Sequence, residues 1–200
     1  MSLSVIRPDI LAQTAYHVAD APADFIKLDA MEVPFPFPEA LRAELAAELA
    51  AAPINRYPNI AASPLPELLR RTFALPENAQ IVLGNGSDEI IQFIALLVAQ
   101  ANVTVLAVEP SFVMYRRNAE LFSLNYIGVP LNPDFTLNLE ATLKAIEQHK
   151  PALIFLAYPN NPTGVPFSRE AVEAIIQAAT GIVVIDEAYG AWAMPWAAPP

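Results

Sequence analysis

The sequence predicts an α/β fold with a mainly parallel, helix-flanked sheet, and three observations carry that expectation. From residue 81 onward, short apolar runs alternate with longer stretches of helical periodicity. Some of the runs, such as Ile182–Ile185, are apolar throughout, as expected of strands covered on both faces. Polar motifs follow three of them, and open α/β sheets bind ligands beyond the carboxyl ends of their strands.

The elements can be justified in order. Residues 1–38 are proline-rich with little periodicity and read as an extended arm, too small to hold a core of its own. Glu39 to Ala52 is alanine-rich, with Leu41, Leu45 and Leu49 at four-residue steps, which predicts an amphipathic helix ended by Pro53. Pro64 to Phe73 predicts a second helix, started by prolines and carrying Leu65, Leu68, Leu69 and Phe73 on one side. Strands are then expected at 81–84, 103–108, 125–130, 152–158 and 182–186. The intervening helices are expected at 88–101, 111–122, 138–149 and 168–179. This makes 39–200 one α/β domain behind the arm, which the resemblance given below implies is part of a large domain.

Composition narrows the class of function. Two hundred residues, 54% of them hydrophobic, can bury one substantial core. The apolar runs, Ile90 to Val98 among them, fall short of the ~18 to 20 residues that a membrane-spanning helix needs. The first residues lack the pattern of a secretory signal, so a cytoplasmic location is expected. There is no cysteine, hence neither a disulfide nor a thiolate metal site, and His17 and His149 lie too far apart in sequence to suggest a metal pair. A formal charge of -10, with basic residues scattered apart from Arg70–Arg71 and Arg116–Arg117, argues against a nucleic-acid partner.

The three loops carry the chemistry. Gly84-Asn85-Gly86-Ser87-Asp88-Glu89 joins an apolar run to a long helix, where glycines allow close approach and the helix start offers N–H groups suited to a phosphate. The same letters also describe a plain turn capped by Ser87 or Asp88. Pro159-Asn160-Asn161-Pro162-Thr163-Gly164 offers two amides on a proline-stiffened loop, though any turn could contain these residues. Asp186-Glu187-Ala188-Tyr189 sends a carboxylate out of an apolar strand, and a cationic partner is expected for it; the alternative is an exposed helix cap.

Together, Asn-Gly-Ser-Asp-Glu, Tyr-Pro-Asn-Asn-Pro-Thr-Gly and Asp-Glu-Ala-Tyr, in this order and spacing, resemble the fold-type I pyridoxal-phosphate aminotransferases. Lys27-Leu28-Asp29-Ala30-Met31-Glu32 and Asn55-Arg56-Tyr57-Pro58 resemble the histidinol-phosphate aminotransferases in particular, and the likeness runs from about Val5 to Tyr189. The resemblance implies pyridoxal 5'-phosphate as cofactor, with its phosphate on Gly86, Ser87 and Asp88 and its ring under Phe112, where the family usually carries tyrosine. It also implies that Asn161 and Tyr189 bond the ring hydroxyl oxygen and that Asp186 pairs with the pyridine nitrogen. Tyr57 would reach the cofactor phosphate of a partner subunit, implying a homodimer, and Tyr16 and Glu32 would contact substrate.

The implied reaction is transamination of histidinol phosphate with 2-oxoglutarate in histidine biosynthesis. Another fold-type I aminotransferase, a threonine-phosphate decarboxylase or a non-catalytic truncated fragment are the alternatives. Among Lys27, Lys144 and Lys150, none stands in the Ser-x-x-Lys setting of the family's cofactor-carrying lysine, so no catalytic residue is expected in these 200 residues. The family's C-terminal small domain, with its substrate-binding arginine, is also expected to be absent, and the tail from Trp192 to Pro200 reads as truncation.

Overall fold

The computed structural model describes residues 5–14, 22, 24–26, 33, 35–59 and 63–190. The chain divides into two compact units, residues 1–63 and 64–200. The first holds a short helix α1 (Pro8–Leu11) and α2 (Glu39–Ala51). Helix α2 forms where its alanine and leucine content predicts, but Leu41, Leu45 and Leu49 are all exposed, so propensity rather than burial supports it.

The second unit contains α3 (Leu65–Thr72), α4 (Ser87–Leu97), β1 (Thr104–Glu109), α5 (Met114–Leu121), β2 (Asn125–Pro130), α6 (Leu139–His149), β3 (Leu153–Ala157), α7 (Arg169–Ala178) and β4 (Ile182–Asp186). The four strands form one wholly parallel sheet in the order β2-β1-β3-β4. Strand alternation divides the core in two. Val105 and Ala107 of β1, with Leu153, Phe155 and Ala157 of β3, pack against Ile91 of α4 and Tyr115 and Ala119 of α5. Leu106 and Val108, with Ile154 and Leu156, face Ile146 of α6 and Val172 and Ile175 of α7. Every residue of β3 is buried, which explains its unbroken apolar sequence. Each such side chain contributes roughly 1.5–3 kcal/mol relative to exposure.

Local signals set the ends of two helices. The Asn138 side chain accepts a hydrogen bond from the Ala141 amide at 3.1 Å, and Ser168 does the same for Ala171 at 3.2 Å, each satisfying an N–H group the helix leaves unpaired. Helix α6 stops where Lys150 turns left-handed, at φ 44°, just before Pro151.

Three boundaries differ from expectation. The segment 81–84 is no strand: it keeps the alternation, with Ile81 and Leu83 half-buried and Val82 exposed, but has no ladder partner among the described residues. Apolar alternation specifies an extended face; pairing makes it a strand. Helix α4 ends at Leu97, short of the expected 101. Helix α5 begins at Met114 instead of 111, because Ser111 and the Pro110 carbonyl are bonded to Asn160 from the neighbouring loop. Among the described residues no helix is long and apolar enough to cross a membrane, and no three His, Cys, Asp or Glu side chains are grouped to hold a metal ion.

Candidate functional site

Strand β1 lies between β2 and β3, and the helices that follow β1 and β3 pack on opposite faces of the sheet. Connections that diverge in this way open a crevice beyond the carboxyl ends of the two strands. A small cleft occurs there, lined by Ser87, Phe112, Tyr115, Asn161, Asp186 and Tyr189 among others.

Two loops form its floor, and Asn160 ties them together. Its side chain, 1% exposed, accepts from the Ser111 hydroxyl at 2.9 Å and donates to the Pro110 carbonyl and the Thr163 hydroxyl, each at 3.0 Å. The Gly164 amide adds a 2.7 Å bond to the Asn160 carbonyl. The Glu109–Pro110, Tyr158–Pro159 and Asn161–Pro162 peptide bonds in these loops are all cis. Asn160 is thus fully used in structure, while its neighbour Asn161 lines the cleft.

Asp186 ends β4 and is half-buried. Tyr115 donates its hydroxyl to Oδ2 at 2.8 Å, and the Ala188 amide donates to Oδ1 at 3.0 Å. The cationic partner expected for this carboxylate is absent from the ion pairs of the described residues; two neutral donors hold it instead. Tyr115 is itself completely buried, its ring stacked on Phe155 with centroids 4.6 Å apart and planes 2° apart. It meets the Phe112 ring edge-on at 5.8 Å. Burial first, and the Asp186 charge second, push the Tyr115 phenol above its ordinary range, so it stays protonated and donates.

The start of α4 borders the same cleft through Ser87. Its N-cap, Gly86, has φ 82°, a conformation that suits glycine, and no side chain caps the helix. Glu89 turns back instead, accepting from the Asn85 amide at 2.7 Å. Neither Ser87 nor Asp88 therefore caps the helix, and the N–H groups of its first turn carry the positive end of its dipole. On the Phe112 side, a separate cleft is lined by Glu109, Ser111, Arg116 and Tyr126. There Arg116 pairs with Glu109 at 2.6 Å and lies 4.4 Å over the Tyr126 ring.

Five of the residues singled out from sequence thus come together: Ser87, Phe112, Asn161, Asp186 and Tyr189. Gly86 precedes the first helical residue and lines the neighbouring groove, and Asp88 is exposed. Tyr57 belongs to the 1–63 unit, where its side chain is fully exposed. Tyr16 and Glu32 lie outside the described residues, as does Lys27. Lys144 and Lys150 are exposed, and neither lines the cleft. Tyr115 was the residue that sequence reasoning missed, while Asn160, expected with Asn161 to offer its amide to a ligand, spends that amide on bridging the two loops. Tyr115 reads as one more apolar-face residue of a helix, and only its partner, 71 positions away, marks it as different.

A carboxylate, an amide, a phenol and an aromatic face around one narrow cleft, with a helix start beside it, suit a planar aromatic ligand bearing an anionic group. The chain belongs to the class I and II aminotransferases, whose family model matches residues 23–198. Histidinol-phosphate aminotransferase of Neisseria meningitidis serogroup C is 59% identical over 94% of this chain and 53% of that protein. The enzyme of the same name from Chromobacterium violaceum is 54% identical, over 94% and 53%. Among solved structures, histidinol-phosphate aminotransferase from Sinorhizobium meliloti, in complex with pyridoxal-5'-phosphate, is similar at a TM-score of 0.70 and 30% identity, covering 82% of this chain and 44% of that one. The chain spans about half the length of the relatives it matches.

Proposed function

We propose that the chain carries the cofactor-binding half of a pyridoxal-phosphate-dependent histidinol-phosphate aminotransferase. The observation that carries this reading is the convergence of Asp186, Asn161, Tyr189 and Phe112 on one cleft beside the start of α4. The similarity to histidinol-phosphate aminotransferases over 94% of the chain supports it. Within the reading, residues 1–38 are an arm and 39–200 part of the large domain. The whole enzyme is a cytoplasmic homodimer that takes amino groups from histidinol phosphate to 2-oxoglutarate.

The residues present fit the cofactor. Asp186, with one neutral donor on each oxygen, keeps lone pairs for a ring N–H, and it would hold the pyridine nitrogen in its protonated form. Asn161 and Tyr189 would bond the ring hydroxyl oxygen, and Phe112 would cover the ring face. The amides of Gly86, Ser87 and Asp88 would receive the phosphate; Glu89, already bonded to Asn85, is drawn back from that role. The cofactor, when bound, supplies the electron sink for loss of the substrate α-proton. Tyr57 would serve the partner subunit's phosphate, and Tyr16 and Glu32 the substrate.

The test has two arms. Pyridoxal 5'-phosphate titrated into the purified chain should bind, with Asp186→Ala weakening it at least tenfold, on the order of 1.4 kcal/mol. In a protein of the relatives' full length, Asp186→Ala should suppress transamination of histidinol phosphate while leaving the fold intact by circular dichroism. Equal binding and rate in the variant would sink the assignment. A preference for aromatic amino acids over histidinol phosphate would retain the class and change the substrate.

A further inference from the structure

We infer that Tyr115 is a positioning residue for the cofactor site, acting through Asp186; the inference rests on the cofactor reading above. A carboxylate at the end of a strand can rotate about its side-chain bonds, and a partner in the cleft needs one lone pair held in one direction. Here each oxygen is held from behind. The Ala188 amide takes Oδ1 at 3.0 Å, and the Tyr115 hydroxyl takes Oδ2 at 2.8 Å.

The two donors differ in what supports them. Ala188 is an exposed loop residue two positions from Asp186, so no core packing fixes its amide. The Tyr115 hydroxyl is fixed by a ring that is completely buried and stacked on Phe155, the middle residue of the buried strand β3. Phe112, on the same turn into α5, meets that ring edge-on and also lines the cleft. The rigid core therefore sets the direction of the carboxylate through one phenol, and the same phenol braces the aromatic ring that faces the ligand. Phenylalanine at position 115 would keep both ring contacts and remove only the hydrogen bond.

The experiment is a double-substitution cycle with pyridoxal 5'-phosphate labelled at the ring nitrogen, using wild-type chain, Tyr115→Phe, Asp186→Asn and the double variant. Tyr115→Phe should fold as the wild type does and bind cofactor about tenfold more weakly, the scale of one hydrogen bond to a charged group. The nitrogen resonance should move from its protonated toward its neutral position. With Asn at 186 the second substitution should change affinity by less than about twofold, because its route of action is gone. Wild-type affinity and resonance in Tyr115→Phe would overturn the inference and leave the cofactor reading standing. Equal weakening in both backgrounds would also overturn it, since the hydroxyl would then act on the fold at large. No binding by the wild-type chain would remove the cofactor reading and this inference with it.

Discussion

Asn160 bridges the two loops that floor the cleft, and replacing it by alanine measures what that bridge is worth. The side chain makes three hydrogen bonds, to Ser111 at 2.9 Å and to Pro110 and Thr163 at 3.0 Å, while its backbone bonds to Val165 and Gly164 are untouched by the change. Each neutral bond contributes about 1 kcal/mol net. The Ser111 and Thr163 hydroxyls are only half-buried and regain water, so the expected loss is about 2 kcal/mol. With a urea slope of about 1–3 kcal/mol/M, the unfolding midpoint measured by circular dichroism should fall by roughly 1 M at unchanged slope. Asn160→Leu tests the cause, because it fills much of the same space without polar atoms. If Asn160→Leu stayed within about 0.5 kcal/mol of the wild type, packing and not the bridge would hold the loops, and the reasoning would fail.

Other perturbations follow from the same contacts. Phe155→Ala should cost about 3–5 kcal/mol in denaturant unfolding, because a completely buried ring leaves a cavity and removes the surface on which Tyr115 stacks. Gly181→Ala should cost about 1–3 kcal/mol, since the new methyl would run into the Ala152 carbonyl, which is already bonded to the Ile182 amide. Gly164→Ala, at φ 68° with no atom within 4 Å, should cost about 1 kcal/mol from backbone conformation alone, and thermal unfolding of the two variants should separate clash from conformation. Stability should also fall at alkaline pH. The folded chain keeps the Tyr115 proton above the ordinary pKa of 10.0, so this contribution is complete below that pH. It is lost above it at about 1.4 kcal/mol per pH unit, as the unfolded phenol ionises and the folded one does not. Tyr115→Phe should flatten that slope in urea titrations, and an unchanged slope would contradict the burial argument.

The sequence revealed elements whose signal is local and missed what depends on partners far along the chain. Strands β1 to β4 lie within one residue of their expected limits, most simply for β3, whose uninterrupted apolar run has few uses other than a strand covered on both faces. The segment 81–84 carried the same letters and kept the alternation, but strand pairing requires a neighbour, and apolar letters do not supply one. The cleft divides in the same way. Ser87, Asn161, Asp186 and Tyr189 stand in loops whose composition is unusual enough to draw notice, while Phe112, expected inside a helix, was marked only by the family resemblance. Tyr115 gave no such sign, and the two adjacent asparagines gave the same one although only Asn161 lines the cleft. Tyr115 sat on the apolar side of a helix, and what sets it and Asn160 apart lies in bonds spanning 71 and up to 50 positions. Asp186 shows why this matters for function. Read alone, a carboxylate leaving an apolar strand demands a cation, yet it is held by two neutral donors, one anchored in the core, and each oxygen keeps a lone pair for a ligand in the cleft.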